Sequence, residues 1–364
     1  MSSHITTPMS YRMTRVGVLM TPEPGEPNEA AGVLNPATGR DSDGRLWLLP
    51  RLVAEGNVSR VGLAEVLITD GVPTGVRRDS VVLAPDAGWE RGRDHAGVED
   101  PRVTWLPSLG LHVMTYVAFG PLGPKPAVAT SVDLRNWNRL GPLQFRYQHD
   151  LDTDLNLFPN KDVVYFPEPV PDPDGRLCYA ALHRPMWDLG WILGGHQTFL
   201  PAGVTDDRPG IWISYVPVEE VERDITSLTR LGNHRLVALP EYDFEVLKIG
   251  AGPPPIRVAD GWLLIHHGVA GALVEGWEPQ QGVIYSAGAM LLDADDPSRV
   301  ISRSHEPLLA PQAPEETTGV VPHVVFPTAI EEIDGIRYVF YGMADSSIGV
   351  ARLDDTPHQI GAEA

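Results

Sequence analysis

The chain has 364 residues, and 28 Lys and Arg against 48 Asp and Glu leave a formal net charge of −20. That balance excludes the basic face that a nucleic acid or an anionic membrane surface demands, and a hydrophobic share of 43% excludes disorder as the main state. A single cysteine, Cys178, excludes a disulfide framework and a thiolate metal cluster, and 36 Gly with 35 Pro are too many breaks for a helical bundle.

In chain order, the first twenty residues hold no long apolar run after a basic start. No export signal is expected there, and the expected compartment is cytoplasmic. Residues 1–15 are expected to form an N-terminal arm, flexible or touching another subunit. Strand-length apolar segments follow at Leu111–Phe119, Asp162–Phe166, Leu177–His183, Ile211–Val216, Trp262–His267, Val283–Leu292, Arg337–Tyr341 and Ile348–Leu353. Each is rich in β-branched or aromatic residues and bounded by turn chemistry. Asp174-Gly175, Asp260-Gly261 and Asp334-Gly335 stand directly before such segments, as hairpin turns do. Pro217–Leu228 is the best helical candidate. The Pro-rich stretch Pro167–Asp174 lies between two strands and reads as a loop. No composition break marks a linker, so one domain over residues 1–364 is expected. Many short strands with weak self-similarity predict an all-β sandwich, barrel or propeller, and periodicity leaves all three open.

Several common chemistries find no seat. There is no H-E-x-x-H or paired-Cys spacing for zinc and no G-x-S-x-G elbow. Gly250-Ala-Gly252 begins like a dinucleotide fingerprint, but Pro253, Pro254 and Pro255 stand where the phosphate-binding helix must start. No metal and no organic cofactor is expected. What remains is a series of polar clusters at predicted strand ends: Gly97–Arg102, Pro159–Asp162, His183–Pro185, Lys248–Pro255, His266–Gly268 and Tyr341–Asp345. In the first of these, Pro101 is expected to hold Asp100 extended and out of any helix. Any one of these charges alone is ordinary surface polarity. Together, at loops that converge on one face of an all-β fold, they point to a site.

The motifs G-V-E-D-P-R, N-K-D-x-x-x-F-P, H-R-P, K-I-G-A-G-P-P-P, G-W-L-L-I-x-H-G, E-x-x-G-x-V-P-x-V-V-F-P and Y-G-x-A-D occur in this order between about Asn35 and Leu353. The set resembles glycoside hydrolase family 130, which contains inverting β-mannoside phosphorylases and some inverting β-mannosidases. The resemblance implies a five-bladed β-propeller that takes a terminal β-mannoside and inorganic phosphate, with the phosphate as co-substrate. It implies Asp100 as the general acid, and Arg184, His267, Asn160 and Lys161 as the phosphate site. Lys248 and Asp345, with Asn35, Arg51 and Arg60, are implied to bind the mannosyl unit. The chain departs from the pattern at Pro159, where phosphorylases carry an Arg, and at Glu99, where some members carry an aromatic residue. The insertion from Met186 to Pro209 is expected to reshape the acceptor side.

Two other readings stand beside phosphorolysis. An inverting hydrolase needs a carboxylate base to activate water, and Glu245 and Glu316 are the candidates. A non-catalytic carbohydrate-binding propeller is the third, and it gives no reason for a presented acid. Arg184 and His267 favour phosphate as the nucleophile, because an anion must be neutralised and aimed. Neither a nucleic acid nor a membrane is an expected partner, and a homo-oligomer is left open.

Overall fold

The computed structural model describes residues 9, 11–92, 96–121, 123–189, 194–195, 197–273 and 279–355. After β1 (Tyr11–Met20), the strands β2 (Gly32–Arg40), β3 (Leu46–Ala54), β4 (Val58–Thr69) and β5 (Val72–Leu83) form an antiparallel meander. A second meander is β6 (Ala96–Leu106), β7 (Leu111–Gly120), β8 (Gly123–Ser131) and β9 (Asn138–Pro142). It joins the first through a short parallel pairing of Val58 and Ser59 with Ala96 and Gly97. Next come β10 (Gln144–Phe145), β11 (Asn160–Tyr165), β12 (Val170–Pro171), β13 (Leu177–Pro185), β14 (Ile211–Pro217) and β15 (Arg230–Ala238), in the order β10-β15-β14-β13-β11. The fourth group is β16 (Lys248–Ala251), β17 (Ile256–Val258), β18 (Gly261–Gly271), β19 (Val283–Leu292) and β20 (Val300–Arg303). The last is β21 (Val325–Ile333), β22 (Ile336–Met343) and β23 (Ser347–Asp355), with β1 as its outer edge against β23.

Every strand expected from Leu111 onward is present. Val218–Arg223 is helical, followed by a 3₁₀ turn at Ile225–Thr229. Two expectations need correction. Tyr11–Arg15 is no arm: it lies in β1 and pairs with Ala351–Asp355, because strand β23 would otherwise leave its edge open. Residues 1–8 and 10 of the expected arm lie outside the described residues. Six strands, β1–β6, precede the first one anticipated, and four of them contain prolines (Pro36, Pro50, Pro73, Pro101) that disguise a strand.

The core lies between successive meanders. In β18, Leu264 packs with Leu182, Ile213 and Ile249 on one face. On the other face Leu263 and Ile265 pack with Ala289, Val325 and Val339. Burial on both faces explains why Trp262–Ile265 is a continuous apolar run rather than an alternating one. The first strands of the groups lie side by side: β2 touches β6 and β21, β6 touches β11, and β11 touches β16.

One ion pair recurs with this architecture. In the short turn leading into a first strand, a buried Glu has both carboxylate oxygens bonded by an Arg from the outermost strand of the same group. Glu29 meets Arg78 at 2.8 and 2.8 Å, Glu90 meets Arg139 at 2.8 and 3.1 Å. Glu245 meets Arg303 at 2.8 and 2.7 Å, and Glu316 meets Arg15 at 2.8 and 2.7 Å. Each Glu also accepts from the backbone of its own turn or the loop before it. The pair therefore ties the inner and outer edges of four groups together, including the one that β1 completes.

Candidate active site

Three first strands lose register near their start, between Leu34 and Ala37, Glu99 and Arg102, and Lys161 and Val164. The polar residue in each break is left-handed: Asn35 at φ 41°, Asp100 at φ 48° and Asp162 at φ 57°. Asn and Asp tolerate this conformation better than other side chains, and a bulge re-aims a side chain out of the strand's alternation. Pro101 thus acts differently from expectation. It denies Asp100 the right-handed helical region, but the bulge places Asp100 in the left-handed region instead of an extended one.

Asp100 is buried, and its Oδ1 accepts from Asn35 Nδ2 at 2.8 Å and from Arg51 Nη1 at 2.9 Å. No protein group among the described residues bonds its Oδ2. Burial pushes the carboxyl up, but Arg51, Lys161 and the Asn35 bond outweigh it and hold Asp100 below the usual carboxylate range. Arg51 spends its other donors on Glu99 (2.9 Å) and Ser59 (2.8 Å), so its place is behind Asp100, holding it, rather than on a sugar. Lys161 Nζ lies 3.9 Å from the other oxygen of Glu99. Asp345 sits in the β22–β23 turn at φ 49° with no bonded partner for its carboxylate among the described residues. Burial raises it to about 6, with Asp100 and Glu99 adding to the rise against Arg51 and Lys161. Asn35 keeps a buried Oδ1 without a partner, a ready acceptor for a hydroxyl.

The second centre is Asp162, which sequence reasoning passed over although it stands inside the quoted N-K-D motif. It takes Arg184 Nε at 2.6 Å and Arg102 Nη2 at 3.2 Å, and His267 Nε2 lies 3.6 Å away. Burial opposes its charge, but Arg184, His267 and Arg102 together hold it far below the usual range. Arg102 also donates to the carbonyls of Asp100 and Gly252, so one buried side chain links the two centres. A Cβ on Gly250 would collide with Asp162 and the His267 ring, which explains the glycine in K-I-G-A-G.

Arg184 and His267 carry the free capacity of this centre: Arg184 Nη1 and both ring nitrogens of His267 are buried and unpartnered. Asn160 does not face a ligand with its polar atoms. Its Oδ1 accepts from Arg184 N and its Nδ2 meets His183 Nδ1, so it positions Arg184. His267 is fully buried against Phe326, and burial together with Arg184 and Arg102 outweighs Asp162 and keeps the imidazole neutral. A neutral imidazole can still donate one N–H to an anion. Lys248 lies over the Tyr285 ring at 5.4 Å. Burial first, then Arg184 and Lys161, lower its amine to about 7, and neither Asp100 nor Asp345 is among its strong influences. Lys248 shares a cavity wall with Arg184. Arg60 bonds Asn28 and none of these groups.

Arg184 and Lys248 open onto a cavity of about 570 Å³, walled also by Pro159, Met186, Trp187, Pro209 and Leu247. From the segment Met186–Pro209, the described residues Met186, Trp187, Asp188, Asp207, Arg208 and Pro209 lie in this wall. Among the described residues no group of three His, Cys, Asp or Glu gathers as for a metal, and no helix is long and apolar enough to cross a membrane.

Glu245 and Glu316 are not positioned as bases. Glu245 is fully buried, bonded by His266 at 2.7 Å, by both Arg303 contacts and by two backbone amides. Glu316 is equally enclosed by Arg15, Tyr341 at 2.9 Å and the amides of Gln312 and Ala313. A carboxylate with its lone pairs so occupied has none left for water. Glu245→Gln is therefore expected to lower stability by about 3–5 kcal/mol, the cost of breaking a buried pair. Thermal denaturation reads that loss, and kcat measured well below the transition should change less than about threefold. A loss of kcat by orders of magnitude in folded protein overturns this assignment.

An acid on one wall and a buried guanidinium with an unpartnered donor on the other is what moving a sugar from an alcohol to an anion asks of a protein. Comparison with known proteins places the chain in that class of carbohydrate-active enzymes. The chain belongs to glycoside hydrolase family 130: the family model described as beta-1,4-mannooligosaccharide phosphorylase matches residues 4–356. It is similar to the 1,2-beta-oligomannan phosphorylase of Thermoanaerobacter sp. (strain X514), 32% identical over 82% of this chain and 79% of the relative. The beta-1,2-mannobiose phosphorylase of the same organism is 33% identical over 82% of this chain and 78% of its own. Among solved structures, the beta-1,2-mannobiose phosphorylase of Listeria innocua superposes with a TM-score of 0.68. That match covers 94% of this chain and 96% of the other at 22% identity, which speaks to the fold.

Proposed function

We propose that this enzyme is a single five-bladed β-propeller of the cytoplasm that cleaves terminal β-mannosides with inorganic phosphate, giving α-mannose 1-phosphate with inversion. Five groups of strands, with β21, β2, β6, β11 and β16 touching in that order and β1 completing the last group on β23, support the propeller reading. The observation that carries the chemistry is the buried, unpartnered Nη1 of Arg184 beside Lys248. A desolvated guanidinium with a free donor favours an anion. The alternative hydrolase reading is not supported by its two candidate glutamates, since both are enclosed.

In this reading the mannosyl unit sits between Asp100, Asn35 and Asp345. Phosphate approaches C1 from the side of Arg184 and Lys248. As the new C1–O bond forms, the bond from C1 to the leaving oxygen breaks, and its electron pair stays on that oxygen. Asp100 delivers the proton, directly or through a sugar hydroxyl, and is recharged by the proton that monohydrogen phosphate gives up. Free Asp100 is ionised, so it must gain that proton when substrate displaces water and further desolvates it. The test is cleavage of β-mannobioses with and without millimolar phosphate. Mannose 1-phosphate is the expected product, and free mannose at an unchanged rate in phosphate-free buffer overturns the reading.

Lys248 makes this reading pH-dependent. With its amine lowered to about 7, Lys248 is a cation below that pH and neutral above it. The KM for phosphate is expected to rise as pH passes from about 6 to about 8, by up to about tenfold, the worth of one charge-assisted contact. Lys248→Arg, cationic throughout, should flatten that rise. An identical pH dependence in the variant removes Lys248 from the phosphate site.

A further inference from the structure

We propose that His183, Ser214 and His234 are positioning residues that aim Arg184 at phosphate by holding Asn160; this rests on the phosphorolysis reading of the site. His183 opens the H-R-P motif, and its ring joins a buried chain of side chains that crosses the third group of strands from inner to outer edge. Asn160 Nδ2 on β11 lies 3.0 Å from His183 Nδ1 on β13, and His183 Nε2 lies 2.8 Å from Ser214 Oγ on β14. Ser214 Oγ lies 2.7 Å from His234 Nδ1 on β15. His234 Nε2 in turn lies 2.8 Å from the carbonyl oxygen of Arg146, the residue after β10. All four residues in the chain are at most 1% exposed.

The two ends of the chain fix every proton between them. The Arg184 N–H can only donate, so the Asn160 atom it meets at 3.2 Å is the oxygen, and the amide nitrogen faces His183. That nitrogen donates, so His183 Nδ1 accepts and the ring proton sits on Nε2. Nε2–H donates to Ser214 Oγ, whose own single proton goes to His234 Nδ1. His234 then carries its proton on Nε2 and gives it to the Arg146 carbonyl, which can only accept. Burial, first among the causes, favours the neutral form of both rings that this pattern needs. Phe145 packs against both, with ring centroids 4.7 and 5.7 Å away, and restricts their rotation. A fully satisfied buried network with one proton arrangement is rigid. The Asn160 amide does not pass protons along, so the chain transmits orientation rather than charge.

Its place in the fold says what it orients. In four groups a Glu–Arg pair ties the inner edge to the outer one, but residues 146–159, which lead into β11, contain no Glu. There Asn156 bonds the N and O of Phe145, and the histidine chain makes a second tie that ends on the Arg184 backbone. Arg184 needs that support. The β11–β13 ladder loses register after Lys161, and the Arg184 N–H is met by a side chain. Its guanidinium is fixed by Asp162 through Nε, while Nη1 is left for the anion.

Ser214→Ala removes one oxygen from the middle of the chain and touches neither Asn160 nor Arg184. The KM for phosphate is expected to rise about three- to tenfold, the range of one hydrogen bond, while kcat at saturating phosphate and the KM for a β-mannobiose stay within about twofold. A merely structural role would lower the melting temperature and leave the phosphate KM where it was. That result, or a parallel rise of both KM values, overturns the inference and leaves phosphorolysis standing. Cleavage by the parent enzyme at a rate that ignores phosphate overturns phosphorolysis and the inference with it. Histidine-selective nitrogen NMR of the parent enzyme tests the chain without any variant. His183 and His234 are both expected as Nε2–H tautomers with Nδ1 accepting, and either ring found as Nδ1–H or as imidazolium at neutral pH overturns the inference.

Discussion

Asp100→Asn is expected to lower kcat by about 10²–10⁴-fold, the usual contribution of a positioned general acid. Asn is the informative replacement. It keeps an oxygen to accept from Asn35 and Arg51, and it tolerates the left-handed φ of 48° that would strain Ala. The substitution therefore removes the proton and the charge while the bulge and its partners persist. Binding of the mannoside should change far less than kcat, because Asp345 and Asn35 remain. Activity within a few-fold of the parent enzyme, in protein with an unchanged melting temperature, removes Asp100 from the acid role.

Arg184→Ala should raise the KM for phosphate by about tenfold or more, since a charge-assisted bond is worth about 1.5–3 kcal/mol. The loss has a second part. Asp162 would keep Arg102 at 3.2 Å and His267 at 3.6 Å but lose its shortest partner. His267, held neutral partly by Arg184, would then protonate more readily beside Asp162, with compensation that spares the fold. The mannoside KM at saturating phosphate is expected to stay within a few-fold. If both KM values rise together, Arg184 supports the whole site and is no phosphate ligand.

The residues that local pattern revealed are those whose chemistry is unusual in its own segment. Asp100 before a proline, His183-Arg184-Pro185 at a strand end and the triple proline after Gly252 are such places. The eight strands anticipated from β7 onward were legible for a related reason, since burial on both faces turns them into apolar runs. The early strands were not. β5 is exposed along much of its length and carries Arg77, Arg78 and Asp79, and β2, β3 and β6 contain prolines seated at bulges or in strand interiors.

By itself the sequence determined an all-β enzyme with an acid near its front third and an arginine behind Pro159-Asn160-Lys161, because turn residues, apolar runs and ordered motifs are local properties. Tertiary structure alone decided which polar residues are enclosed by partners and which keep free atoms. Glu316 looked like a free carboxylate until Arg15, 301 positions away, enclosed it. Glu245 was claimed by Arg303 and Asp162 was made a centre by Arg102, 58 and 60 positions off. Lys248 came to share a wall with Arg184 for the same reason. A side chain's protonation state and free valences follow from the neighbours that burial gives it, and those neighbours come from distant strands.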